Sequence, residues 1–257
     1  MHLITLTTDF GTDSPYVAEM KGVIVSLASE VRIVDITHSV PPQNIRHGAL
    51  VLEQVCRHYP PGTLHLVVVD PGVGTDRAMV YAEIGNQRFL APDNGVLSLL
   101  ARRDGVVRVV ELAERRFWRS EVSSTFHGRD ILAPVAAHLI RGEQPERLGP
   151  PRAKLIELAW PAATVGPGRI QGEVLACDTF GNSVTNIGAD QLPANAACTV
   201  ACRGVSTREL IRTYGERPSG TLVALVGSNG RLELAVVEGS AARQFQLAAG
   251  DAVEVTW

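Results

Sequence analysis

Two hydrophobic patterns divide the chain. Through its first part, short β-branched runs alternate with segments whose apolar residues recur every three or four positions. Leu3 to Thr8 predicts a strand ending at the turn DFGTDSP. Ser14 and Pro15 predict a helix start, with serine capping free N–H groups and proline in the first turn. Tyr16, Met20, Val23, Ile24 and Leu27 then follow at helical spacing. Val31 to Ile36 predicts a second strand, and Ile45, Ala49, Leu52, Val55 and Cys56 mark one face of a second helix. Thr63 to Val69 is the third strand, which delivers Asp70 at its end. Strands at Met79 to Ile84, Arg88 to Ala91 and Val106 to Leu112 follow, with a short helix near Leu97. A last helix carries Ile131, Leu132, Val135, Leu139 and Ile140. This alternation argues for parallel βαβ units, an α/β domain of Rossmann-like type.

The pattern changes after Gly142. Pro145, Pro150, Pro151, Pro161 and Pro167 crowd a stretch that cannot sustain a regular element. Beyond it come short strands with turn residues between them: Ile170 to Cys177, Ser183 to Ile187, Ala197 to Cys202, Thr221 to Val226, Leu232 to Val237 and Ala252 to Thr256. The expectation is an α/β domain over 1–150, a linker over 151–168 and a smaller antiparallel β-barrel domain over 169–257.

Composition narrows the function. The 257 residues are 45% hydrophobic and 20% charged, enough for a real core. A net charge of -3 gives no electrostatic footprint for nucleic acid or an anionic membrane. No stretch approaches the ~20 apolar residues of a membrane helix. The N-terminal run has no basic flank and reaches Asp9 too soon for a signal segment. Cys56, Cys177, Cys198 and Cys202 form neither a disulfide framework nor a zinc set and read as reduced thiols. A cytoplasmic protein is expected.

Candidate chemistry gathers where predicted strands end. Asp9, Asp13 and Ser14 follow the first strand, and Asp70 and Arg77 lie in VVVDPGVGTDR after the third. His127 lies in TFHGRD, where a loop opens a helix. The second part offers Asp178, Asn182 and Asn186 in CDTFGNSVTN, then Ser228 and Asn229 in GSNGRLELA. Each alone is a weak signal, since an aspartate or asparagine at a turn is more often capping or turn chemistry than catalysis. GVGTDR lacks the lysine end of a phosphate-binding loop and stops short of GxGxxG. No metal is expected, because Asp9, Asp13, Asp70, His127 and Asp130 lack tight ligand spacing and an arginine stands among them.

Five ordered phrases, TTDFGTDSPYVAEMKG, DITHSVPP, VVVDPGVGTDR, TFHGRD and DTFGNSVTNI, together resemble the S-adenosyl-L-methionine (SAM) hydroxide adenosyltransferases. These are adenosine-forming SAM hydrolases related to fluorinase and chlorinase, and the resemblance runs from about Thr7 to Ala241. It implies an N-terminal α/β domain, a C-terminal β-barrel domain, no cofactor, and a homotrimer whose substrate sites lie between subunits. Its Asp-Arg-His catalytic set falls on Asp70, Arg77 and His127. Asp9 matches the grip on both ribose hydroxyls, and Asp13 and Ser14 match a region near the methionine end. Phe126 and Gly128 flank His127 at the substrate. Asp178 matches the residue that binds the methionine ammonium, Phe180 an adenine-packing aromatic, Asn182 an adenine contact, and Ser228 and Asn229 the remaining methionine-binding pair.

The departures from the halogenases separate water from halide. Gly128 stands at the fluorinase halide-binding serine, His127 at the preceding tyrosine, and Asp70 at another tyrosine. The expected reaction is attack of water on C5′, with Asp70 orienting His127, His127 taking the proton and Arg77 stabilising hydroxide character. A chlorinase-like halide transferase and a non-catalytic SAM- or adenosine-binding protein are the alternatives. Asn229 replaces an arginine that would pair the methionine carboxylate.

Overall fold

A computed structural model describes residues 2–193, 197–208 and 210–257. The chain divides into two compact units, Met1–Leu158 and Ala159–Trp257.

In the first unit the alternation of the sequence becomes β1 (Leu3–Thr8), α1 (Tyr16–Leu27), β2 (Arg32–Thr37), α2 (Ile45–Val55), β3 (Leu64–Val68), β4 (Met79–Ile84), β5 (Gln87–Pro92), α3 (Ser98–Asp104), β6 (Val106–Glu111) and α4 (Ala133–Ile140). The strands form one sheet in the order β2-β1-β3-β5-β4-β6. β2, β1, β3 and β5 are parallel, whereas β4 is antiparallel to both β5 and β6, so the sheet is mixed. The reason is local. Only Gly85 and Asn86 separate β4 from β5, too short a link for the crossover that parallel pairing needs.

Strand pleating feeds two cores. Leu64, Leu66, Val68 and Tyr81 pack with Met20 and Ile24 of α1 and Val135 and Leu139 of α4. Val67, Val80 and Ala82 pack instead with Leu52 of α2 and Leu100 of α3. The helix starts differ from the sequence expectation at Ser14. Its hydroxyl donates to the Phe10 carbonyl at 2.8 Å, and α1 begins after Pro15 with no side-chain cap. Residues 151–158 belong to this unit: buried Asp93 accepts from Arg152 Nη2 at 3.2 Å and from the Ile156 backbone at 2.8 Å.

The second unit contains β7 (Thr164–Gly166), β8 (Arg169–Cys177), β9 (Ser183–Gly188), β10 (Thr199–Cys202), β11 (Val205–Thr207), β12 (Leu210–Ile211), β13 (Leu222–Val226), β14 (Arg231–Val236), α5 (Ala241–Phe245) and β15 (Ala252–Thr256). They form one curled, half-barrel sheet in the order β11-β10-β15-β8-β9-β14-β13-β12, with β7 pairing β8. Its core includes Ile170, Val174, Ile187, Leu232 and Leu234, with Cys198 and Cys202 buried beside them as free thiols. Among the described residues no helix is long and apolar enough to cross a membrane.

Candidate active site

Parallel pairing explains why residues far apart in sequence share one edge of the first sheet. Thr8 of β1 pairs with Val68 of β3, so the chain leaves both strands side by side toward Asp9 and Asp70. The Asp9 N–H donates to the Val68 carbonyl at 3.3 Å. Asp9 Oδ2 accepts from the Gln43 backbone at 2.7 Å, which ties the loop after β2 to this edge. A carboxylate has about four acceptor directions, so that bond leaves Asp9 able to take two hydroxyls.

The loop after β3 folds back on itself. Val73 N–H donates to the Asp70 carbonyl, Thr75 N–H and hydroxyl donate to the Gly72 carbonyl, and the turns return Arg77 to Asp70. Arg77 Nε lies 2.9 and 3.0 Å from the two Asp70 oxygens, and Nη2 lies 2.6 Å from Oδ2. Both side chains are largely buried, and the forked, bidentate pairing is the strong form of this interaction. Gly74, at φ +80°, makes a close approach possible: a Cβ there would lie 2.5 Å from the Ser124 carbonyl oxygen of the His127 loop.

Arg77 Nη2 also reaches His127 Nδ1 at 2.8 Å. This corrects the expected order of the set, because the arginine stands between the acid and the imidazole. Asp70 spends both oxygens on Arg77, and no Asp70–His127 hydrogen bond occurs among the described residues. A guanidinium only donates, so Nδ1 is the acceptor and the neutral ring carries its proton on Nε2. Burial lowers the His127 pKa below its ordinary 6.5, and the Arg77 charge lowers it further against opposing effects of Asp70 and Asp130.

A second network holds the His127 loop. A π-helical turn spans Gly128–Leu132, and Asp130 inside it is fully buried. Asp130 accepts from Arg119 Nη1 at 2.9 Å, Arg129 Nε at 2.7 Å and the Ser123 backbone at 2.9 Å. Burial opposes its ionisation, yet these donors and the Arg129 charge hold its pKa below the ordinary value. Arg129 also bridges to Glu19 of α1 at 2.7 Å. Asp130 entered the sequence reading as a rejected metal ligand, and its structural use was not legible there. Gly128 is tightly packed, since a Cβ would lie 3.2 Å from Val68 and 3.3 Å from the Met20 sulfur, and a larger residue needs those side chains to give.

Not every expected residue sits with this set. Phe126 is buried in an edge-to-face cluster with Phe10 and Tyr16, at centroid distances of 5.6 and 5.2 Å. Asp13 is exposed and, among the described residues, accepts only from Thr12. Arg77 and His127 border a cavity of about 670 Å³ that Met79, Glu111, Trp118 and Arg119 also line.

The second unit has its own cavity, of about 800 Å³, lined by Asp178, Phe180, Asn182 and Ser228 together. The turn between β8 and β9 builds one wall. Asp178 accepts the Asn182 backbone N–H at 2.8 Å and its Nδ2 at 3.0 Å, and Asn182 Nδ2 reaches the Tyr214 hydroxyl at 3.3 Å. Phe180 projects from that turn with 76% of its surface exposed. Asn229 does not line the cavity: its amide oxygen accepts the Arg231 backbone N–H at 3.0 Å, as turn chemistry does. Asn186 is likewise structural, bonded to the backbones of Glu173 and Pro161. Sequence reading missed Tyr214, Glu233 and Arg243, which line the same cavity.

The chain matches the SAM hydroxide adenosyltransferase N-terminal domain over residues 4–149 and the C-terminal domain of that family over residues 172–254. An (R)-S-adenosyl-L-methionine hydrolase of Thermus thermophilus is 40% identical, covering 97% of this chain and 98% of that one. A protein of the same name from Salinispora tropica is 38% identical over 98% and 97% of the two chains. A fluorinase of Actinopolyspora mzabensis is more distant, at 28% identity over 99% of this chain and 97% of that one. Among solved structures, an uncharacterized conserved protein from Thermotoga maritima superposes with a TM-score of 0.93 at 36% identity, covering 99% of this chain and 100% of that one.

Proposed function

The chain belongs to the SAM hydroxide adenosyltransferase family, and from that premise we propose that it hydrolyses (R)-S-adenosyl-L-methionine to adenosine and L-methionine. The observation that carries the reading is the hydrogen-bonded line Asp70–Arg77–His127 at the sheet edge. The names of the relatives at 38–40% identity support it, and they supply the (R) configuration at sulfur.

The chemistry has one difficult partner. The sulfonium leaves C5′ as neutral methionine and needs no general acid, whereas water is a poor nucleophile at neutral pH. Arg77 holds His127 neutral with Nε2–H as the free donor, and Asp70 holds Arg77. In the proposed mechanism Nε2–H fixes the water oxygen for in-line attack, a positioning contribution. The O–C5′ bond forms as the C5′–S bond breaks, and the electron pair of that bond stays on sulfur. The attacking oxygen then sheds its proton to solvent. Cationic SAM and water thus give adenosine, zwitterionic methionine and one proton. This role replaces the expected uptake of the water proton by a resting histidine, because the basic lone pair of His127 already accepts from Arg77.

Asp9 is assigned to the ribose hydroxyls, Phe180 and Asn182 to adenine, and Asp178 and Ser228 to the amino-acid end. We infer a Rossmann-like class for the first unit, supported by its four parallel strands, and a barrel-type class for the second, supported by its curl. A cytoplasmic homotrimer completes the proposal, and light scattering that returns one or two chain masses would overturn the assembly. Incubation with (R)-SAM in ¹⁸O-labelled water tests the reaction: label is expected in the 5′-hydroxyl of adenosine. A 5′-halogenated nucleoside in chloride buffer, or binding without turnover, would overturn it.

A further inference from the structure

The cavity of the second unit contains a carboxylate that accepts no hydrogen bond among the described residues. Glu233 on β14 is only 8% exposed, and its side chain has no hydrogen-bond partner among the described residues. Its carboxylate lies directly against Gly227, where a Cβ would overlap it, so the chain leaves room for the acid at that point. A largely buried carboxylate that faces a cavity without a protein donor is open to a donor that arrives from outside.

The groups facing it restrict what that donor is. Asp178 and Glu238 add two more carboxylates to the lining, Tyr214 and Ser228 add hydroxyls, and Arg243 is exposed. Asp178 is near enough that its charge, together with burial, raises the Glu233 pKa. Two carboxylates that line one cavity favour a cation between them. Asp178 already accepts two bonds from Asn182, whereas Glu233 accepts none. A sulfonium offers no N–H, but an ammonium offers three donors.

We propose that Glu233 is a second ammonium-binding carboxylate, acting with Asp178 on the amino-acid end of the substrate, a role that rests on the SAM reading above. It contributes to specificity, separating amino-acid sulfoniums from adenosyl sulfoniums with no amino group.

The test compares Glu233→Gln with the wild type on SAM and on 5′-dimethylsulfonio-5′-deoxyadenosine, which keeps the reacting centre and lacks the amino acid. Loss of a charged hydrogen bond predicts that kcat/KM for SAM falls about 10- to 100-fold. The same ratio for the dimethyl analogue is expected to change less than about twofold. Equal losses on both substrates, or no loss on either, would overturn the proposal. Gly227→Ala displaces the carboxylate without removing it and is expected to show the same selective loss. A wild type that makes no adenosine from SAM would overturn the functional reading instead. Glu233 is then judged by calorimetric SAM binding, where equal affinity of wild type and Glu233→Gln would refute its role.

Discussion

The two polar clusters differ in where their charges find partners. In the first unit the carboxylates of Asp70 and Asp130 are satisfied from within, by Arg77, by Arg119 and Arg129, and by backbone N–H groups. In the second unit Glu233 is buried without a hydrogen bond among the described residues, and Phe180 stands 76% exposed. A saturated network holds its members still, which suits a group that must aim a water molecule. An unsatisfied wall carries an unmet demand for a ligand and suits recognition. On the proposed reading, the difference separates the reacting half of the chemistry from the anchoring half.

The largest effect should follow from breaking the saturated line at its end. His127→Ala is expected to lower kcat by about 10²-fold, as loss of the group that positions the attacking water does. His127→Gln sharpens the mechanism, because glutamine keeps an N–H donor without the basicity. It should retain a rate at least tenfold above the alanine variant, measured as adenosine released. Equal inactivity of the two would return the proton-abstracting role to the imidazole.

Next in size is the buried support of that line. Asp130→Ala leaves Arg129 and the Ser123 N–H without their buried acceptor, and a loss of about 3–5 kcal/mol is expected on breaking one side of such a network. Urea unfolding measures it. The matching change in the second unit should behave in the opposite way. Phe180→Ala is expected to raise KM by about 1–3 kcal/mol equivalent, the range for base stacking on an aromatic ring. Its exposed position predicts an unchanged unfolding midpoint. A destabilised Phe180→Ala would erase the contrast between the units.

The smallest effect is in pH. The His127 pKa is lowered by burial and by Arg77, so the neutral ring persists down through pH 6.5, and kcat should decline only below that value. Protonation would also cost the Arg77 bond. His65, buried and stacked on Phe89, is pushed down to about 4. Between pH 6.5 and about 4 the unfolded chain therefore binds protons that native His65 refuses, and stability falls as pH falls. Denaturation midpoints measured across that interval check the sign.

Local rules made much of this readable. The turn-rich phrase after β3 announced a loop that returns on itself, and Asp70 and Arg77 meet there through bonds spanning seven residues or fewer. Four of the expected second-unit residues share one cavity because two turns, each legible in sequence, carry them. Other readings meet competing local chemistry. Ser14 does not cap α1, and the polar atoms of Ser14 and Asn229 bond their own turns. Glu233 lies in LELAVV, where alternation makes a strand glutamate read as an outward, solvated charge. Its burial arises because β14 has β9 on one side and β13 on the other, and the cavity opens beside it.

The sequence by itself determined the element order, the place where the α/β pattern gives way to short strands, and the phrases that carry Asp70, Arg77 and His127. Those depend on periodicity, turn chemistry and motif, which act over a few residues. Only the tertiary structure decided that Arg77 stands between Asp70 and His127, that Asp130 is a buried anchor, and that Glu233 has no hydrogen-bond partner among the described residues. Each of these is set by which groups meet across strands and loops distant in sequence, and that meeting determines which lone pairs and protons remain free.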